Sequence, residues 1–356
     1  MNSGHALAGR CMKVVYFQRR PNISNHSIER VFATVRGELK GLENDVRLCR
    51  FESRGIWKRL YNMVEAALRQ GDINHITGDV HYLAFLLRKD RTLLTVHDCG
   101  SMLRLQGVRR WLFQWLWLKL PVLRCSVVSV ISEHTKKEVL EYTSCIESKI
   151  RVVPDPVGAE FQPAPRKFNT LKPRILQVGA AENKNLGRLA AALAGINCKL
   201  DIIGAPLPNA RDALEQFGID YAWLAELSDA EVAGRYREAD VVVFCSTSEG
   251  FGMPIVEGNA IGRPVVTSDL EPMRTVAGGA ACLVDPFDIG SIRGGILKVV
   301  EDTGYREELV RRGFENVKRF EAQAIASSYA AIYAELTDNR ARRARGKKRP
   351  QVLTAP

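Results

Sequence analysis

The residues best suited to chemistry lie in one short string, Ser248-Glu249-Gly250-Phe251-Gly252-Met253-Pro254-Ile255-Val256-Glu257. It sets two carboxylates around two glycines and a proline. The apolar run from Val241 to Cys245 before it reads as a buried strand. Pro254 suits the first turn of a helix, where its missing N–H had no partner. The string is therefore a strand-to-helix turn at the carboxyl end of a parallel strand, where such sheets bind ligands. Gly250 and Gly252 allow close approach to a ligand and a positive φ. Free N–H groups at the helix start suit a diphosphate or another anionic oxygen. Glu249, in the loop, can reach a sugar hydroxyl beside a reacting carbon. Glu257, about one turn into the helix, can accept two hydrogen bonds from a ribose diol. A plain turn would explain the glycines alone, and the helix dipole would favour a carboxylate at Glu257 by ~0.3–1 kcal/mol. The whole string in its strand–turn–helix setting argues instead for a site.

A second element is Gln177-Val178-Gly179-Ala180-Ala181-Glu182-Asn183-Lys184-Asn185-Leu186, again strand, glycine turn and helix. Lys184 at a helix start opposes the helix dipole, so it serves stability poorly and a phosphate charge well. In the first half, Thr95-Val96-His97-Asp98 ends a strand and points His97 toward the same kind of edge. Asp98 is expected to orient that imidazole, as carboxylates do.

These sites need elements to hold them. Short β-branched runs alternate with helical stretches from Val14 to Val300, which means parallel sheets wound with helices on both faces. The chain of 356 residues exceeds what one core holds, so two domains are expected. Four prolines between Val153 and Pro165 favour an extended linker. The expected division is an N-terminal Rossmann-like domain over 1–160 and a C-terminal one over 166–336. Residues 337–356 read as a basic, disordered tail. A last helix near Ala322–Leu336, with Ile325, Tyr329, Ile332 and Tyr333 at helical spacing, must bury one face.

The string E-G-F-G-M-P-I-V-E resembles the signature of the family-four retaining glycosyltransferases. Tyr236-Arg237-Glu238-Ala239-Asp240 before it, Gly262-Arg263-Pro264-Val265-Val266-Thr267-Ser268 after it, and Leu283-Val284-Asp285-Pro286 beyond are similar to that family too. The resemblance implies an α/β fold of the GT-B type, two Rossmann-like doubly wound parallel-sheet domains facing across a cleft. It implies that Glu257 holds the donor ribose and Glu249 contacts the donor sugar. Gly250, Phe251, Gly252 and Met253 would line the sugar and diphosphate, Lys184 would bind the diphosphate, and His97 would touch the donor sugar. Members often carry an arginine after the glycine of the second element; this chain has Ala180. The loop from Gln18 to His26 lacks the glycine pair many members have, and its basic residues are assigned to the acceptor.

Charge bounds the partners. The net charge of +11 is uneven. Residues 1–165 carry 25 Lys and Arg against 16 Asp and Glu, residues 166–339 carry 19 against 24, and residues 340–356 carry seven basic groups and no acid. No zinc-finger spacing, basic helix or ribonucleoprotein motif is present, so nucleic acid is not expected. The segment 109–124, with Trp and Leu beside Arg and Lys, suits an anionic membrane surface, as does the basic stretch 340–349. A buried Rossmann helix with a wide apolar face is the competing reading of 109–124. Eight scattered cysteines, none in a C-x-x-C pair, read as reduced thiols. With no secretory leader and no membrane span, the expected location is the cytoplasm, with peripheral attachment to the inner face of the membrane.

The expected reaction is transfer of a hexose-type sugar from a nucleotide-diphosphate sugar to a glycan or lipid-linked acceptor hydroxyl, as in cell-envelope polysaccharide synthesis. No D-x-D motif offers a metal site, and no separate cofactor is expected. A GT-B nucleotide-sugar epimerase, a glycan phosphorylase and a non-catalytic peripheral membrane protein are the alternatives.

Overall fold

Each half of the chain winds its own parallel sheet, as the alternation requires. A computed structural model describes residues 11–20, 27–100, 102 and 105–346. The first sheet holds β1 (Met12–Gln18), β2 (Leu42–Leu48), β3 (Ile73–Ile76), β4 (Thr92–Val96), β5 (Val127–Val130) and β6 (Ile150–Val152), in the order β2-β1-β3-β4-β5-β6. The second holds β7 (Arg174–Val178), β8 (Lys199–Ile203), β9 (Tyr221–Leu224), β10 (Val241–Phe244), β11 (Val265–Ser268) and β12 (Cys282–Val284), in the order β12-β11-β10-β7-β8-β9. Every pairing is parallel. β10 is a continuous apolar run because both of its faces are covered: all four of its residues are buried.

Strand order decides where ligands go. The first sheet reverses its winding between β1 and β3, the second between β7 and β10. At such reversals the loops after neighbouring strands part and leave a crevice. The string Ser248–Glu257 follows β10 and the Lys184 segment follows β7, so both sequence sites converge on one reversal.

The expected end of the second domain at 336 is corrected. The last helix, Ala322–Gly346, returns to the first domain. Ile325, Tyr329, Ile332, Tyr333 and Leu336 are buried in one cluster with Val14, Tyr16, Phe32 and Leu93. The Tyr333 hydroxyl lies 2.8 Å from Nδ1 of the fully buried His75, whose Nε2 is 2.7 Å from Thr95 Oγ1. Burial pushes the His75 pKa well down, so both ring nitrogens serve as neutral hydrogen-bonding partners. Arg151 in β6 clamps Glu335 through two bonds of 2.9 and 3.0 Å. The tail expected to be disordered from 337 is helical to Gly346; the rest of the basic stretch, 347–349, lies outside the described residues, as do 21–26 of the loop assigned to the acceptor. Seven of the eight cysteines are buried and free, and Cys11 is exposed. No described helix is long and apolar enough to cross a membrane.

Candidate functional site

A cleft of about 610 Å³ opens between the two reversals. From the first domain it is lined by Arg19, Asp79, His97 and Asp98 among others, from the linker by Asp155, and from the second domain by Lys184, Glu249, Gly250, Phe251, Gly252, Met253 and Glu257. The expected site residues His97, Lys184, Glu249, Gly250, Phe251, Gly252, Met253 and Glu257 all border this one space.

The second-domain wall is built from two interlocked loops. The Thr247 N–H donates to the Asn183 carbonyl at 2.8 Å, and Asn183 Nδ2 returns to the Ser248 carbonyl at 2.8 Å. Asn185, at φ 62°, donates from Nδ2 to the carbonyls of Cys245 and Pro286. On this frame Lys184 Nζ meets Glu249 Oε1 at 2.6 Å, and Asn183 Nδ2 reaches the same oxygen at 3.1 Å. The Lys184 ammonium also lies over the Phe244 ring, 4.6 Å from its centroid. Lys184 is not at the helix start as expected. It closes a single 3₁₀ turn (Glu182–Lys184), and the helix Leu186–Leu193 begins after Asn185. Its stem packs on Gly179, at φ 87°, where a Cβ would come within 2.8 Å of Lys184 Cε.

Two glycines do different work. Gly252 has φ 116° and caps the helix Met253–Ile261, with Pro254 in its first turn. Gly250 does not have a positive φ; what it supplies is close approach. A Cβ there would strike the His97 carbonyl oxygen of the facing domain. The Gly250 carbonyl in turn accepts from Ser132 Oγ at 3.0 Å and Thr135 Oγ1 at 3.4 Å, so Ser132 and Thr135 hold the loop across the cleft. The Phe251 side chain is buried edge-on against Phe320, 5.6 Å between centroids, and anchors the loop.

Glu257 is only 3% exposed. Tyr236 donates to its Oε2 at 2.5 Å, and Arg30 of the first domain reaches its Oε1 at 3.4 Å while also pairing with Asp229 at 2.9 Å. Burial raises the Glu257 pKa above its ordinary value; Arg30 and the Tyr236 hydroxyl oppose that without cancelling it. The folded protein therefore holds this proton more tightly than the unfolded chain. Its stabilising effect is complete below the ordinary value of 4.5 and is lost as pH rises through the folded value. Glu257→Gln, neutral throughout, is thus expected to melt higher than wild type by a margin that grows as pH rises from 4.5 through the folded value. Melting curves across that range check it; a flat margin would mean the carboxylate carries no burial penalty.

His97 faces the cleft with Nε2 2.9 Å from the Thr77 carbonyl. A carbonyl only accepts, so Nε2 carries the proton, and in the neutral ring Nδ1 is left as an acceptor. The expectation that Asp98 orients this ring is corrected: Asp98 Oδ1 instead accepts from the Gly100 N–H at 2.8 Å, closing its own turn. Phe32 stands edge-on to His97 at 5.9 Å and fixes the ring plane.

Sequence reasoning missed four residues at this site. Asn183 and Tyr236 sat inside strings already quoted, so their polar side chains were a readable signal. Arg30 and Asp155 had none, because each reaches the cleft from a segment with no local motif. Asp155, in the proline-rich linker, is 7% exposed, and burial raises its pKa while His97 acts in the opposite sense. Ala180 is buried and brings no guanidinium to the cleft. Asp240, from the string before β10, is structural: it accepts from Arg166 Nε and from the N–H groups of Asn169 and Arg174. Among the described residues, no group of three or more His, Cys, Asp or Glu is placed to hold a metal ion.

Two doubly wound parallel-sheet domains facing across a cleft at their winding reversals define a protein of the GT-B fold. Residues 159–316 match the model of the glycosyl transferases group 1 family. An O-antigen chain mannosyltransferase B of Escherichia coli is 35% identical over 98 residues, which cover 28% of this chain and 26% of the relative. The O-antigen chain mannosyltransferase RfbU of Salmonella typhimurium is 26% identical over 263 residues, covering 70% and 72%. The structure of Anabaena Alr3699/HepE in complex with UDP and glucose superposes with a TM-score of 0.74 at 14% identity, covering 91% of this chain and all of that one.

Proposed function

We propose that the protein is a retaining, metal-independent glycosyltransferase that moves a hexose-type sugar from a nucleotide-diphosphate donor to an acceptor hydroxyl. The observation that carries this reading is the Lys184–Glu249 pair at the mouth of the β7/β10 reversal, with Glu257 buried one helix turn behind it. A bound diphosphate would draw the Lys184 ammonium and free Glu249 to accept from a sugar hydroxyl. The ribose diol would take the Glu257 oxygen that Arg30 now reaches at 3.4 Å. The bond between the anomeric carbon and the phosphate oxygen breaks, the bond from the acceptor oxygen forms on the same face, and the acceptor proton passes to the departing diphosphate. Lys184 and the Met253 N–H at the helix start stabilise the charge that grows on that leaving group; a preorganised donor of this kind is worth ~2.7–4 kcal/mol.

The O-antigen names of two relatives support a glycan or lipid-linked acceptor in envelope polysaccharide synthesis. The first domain's surplus of basic residues, the segment 109–124 and the stretch 340–349 support work at an anionic membrane surface. Melting the protein with a panel of nucleoside diphosphates is the direct test. A ligand that binds only the folded state at a hundred times its Kd adds ~2.7 kcal/mol of stability. One base should raise the midpoint more than the others, and the rise should vanish in Lys184→Ala. No shift with any base would end the reading.

A further inference from the structure

The helix Ile56–Leu68 of the first domain is inverted. A helix on a soluble domain turns its apolar stripe to the core and its polar face to water. Here the buried positions are Asn62 and Ala66, with Met63 beside them. Asn62 spends its amide on the Phe51 backbone and the Tyr82 hydroxyl. The outward stripe is Ile56, Leu60, Val64 and Leu68, one every fourth residue, with Trp57 and Tyr61 alongside. Ile56, Trp57 and Leu68 are 79%, 81% and 82% exposed. Reading 109–124 from sequence left two choices; the structure gives that segment an exposed face too, with Trp111, Leu112 and Leu116 open to solvent and Val108 just before it. The two are joined where the Arg59 guanidinium lies over the Trp117 ring at 4.9 Å. Trp117 also lines the donor cleft, so this surface begins at the site's rim.

The charges on the two segments choose the occupant. Lys58, Arg59, Arg109, Arg110, Lys119 and Arg124 stand against a single carboxylate, Glu65, across 56–68 and 107–124. Glu65 is itself paired with Arg69 at 3.2 Å. Exposed Trp and aliphatic side chains ringed by cations match the boundary between anionic headgroups and acyl chains, where an apolar face sinks and basic side chains reach outward. We infer that the helix Ile56–Leu68 is the principal membrane-docking element of this protein, lying flat on an anionic bilayer with the 107–124 segment as its flank. This rests on the membrane-surface part of the proposed function and not on the sugar chemistry. It adds this helix to the 109–124 segment and the basic stretch 340–349 as a docking element.

Flotation with vesicles of phosphatidylcholine, with and without phosphatidylglycerol, tests it on the full chain. Wild type should bind only the anionic vesicles and release as salt rises, because screening shortens the reach of the basic side chains. Trp57→Ser/Leu68→Ser should lower partition by roughly tenfold or more, since each side chain loses its burial in the acyl boundary. Both positions are exposed, so its melting midpoint and its nucleoside-diphosphate shift should match wild type. A chain ending at 340 should keep most of its binding. If the double variant floats like wild type while the shortened chain or Trp111→Ser does not, docking belongs elsewhere and the inference fails. Absence of vesicle binding by wild type, or self-association abolished by the double variant, would overturn it as well. A wild type that floats but shows no nucleoside-diphosphate shift would leave this docking face standing and remove the glycosyltransferase reading.

Discussion

Lys184→Ala is expected to lower kcat by about 10²–10³ while leaving the fold in place, the cost of removing one preorganised donor from a developing anion. The ground-state pair it breaks is worth far less. Lys184 and Glu249 keep 20% and 14% of their side-chain surface open to the cleft, and Glu249 retains Asn183 at 3.1 Å after the lysine is gone. Solvent-reached ion pairs contribute up to about 1 kcal/mol, so the melting midpoint should move little. Activity and stability therefore separate in this variant, which they would not if the pair were a structural brace. Lys184→Arg should recover only part of the rate, because a planar fork does not reproduce a compact ammonium packed on Gly179 and over Phe244. Glu249→Ala should also abolish most transfer, through the sugar rather than the diphosphate. Initial rates at saturating donor decide between these readings; wild-type turnover in Lys184→Ala would dismantle the site.

Gly250→Ala should cost roughly tenfold to a hundredfold in transfer by a different route. Its added methyl meets the backbone carbonyl of His97, which has no rotamer to yield. Overpacking a tight contact costs about 1–3 kcal/mol, and here the relief is for the two domains to move apart. Ser132 and Thr135 would then lose the Gly250 carbonyl. Each domain keeps its own core, so unfolding should change little, while small-angle scattering should report a wider molecule. Gly252→Ala offers the contrast. Its φ of 116° makes any side chain strained, and the damage falls on the cap of the Met253–Ile261 helix and not on the domain contact. A Gly250→Ala protein that is compact and fully active would show that the loop does not bear on the first domain in the working enzyme.

Much of the fold was legible because alternation of buried strand and helix is written in local side-chain pattern. β1, β4, β5, β7, β8 and β10 are short, mostly apolar runs, and reading them needs only the period of the chain. β2, with its mixed Leu-Glu-Asn-Asp-Val-Arg-Leu sequence, carries no such signal, because an edge strand covered on one side does not need a continuous apolar run. The site was legible where it is a contiguous turn. Glu249, Gly252 and Lys184 owe their places to loops whose glycines and proline limit the backbone to a few shapes.

Sequence by itself determined the two wound sheets and the chemical character of the loops at their carboxyl ends, because those depend on interactions between residues close in the chain. Only the tertiary structure decided that Arg30 would reach Glu257 and that Gly250 would press on His97. It also decided that the last helix would bury Tyr333 beside His75 in the other domain, and that Ile56–Leu68 would face outward. Each of these joins surfaces that local pattern leaves independent. Nothing in a periodic stripe says which of two sides will be covered, and that choice is made when whole elements compete for the same apolar area.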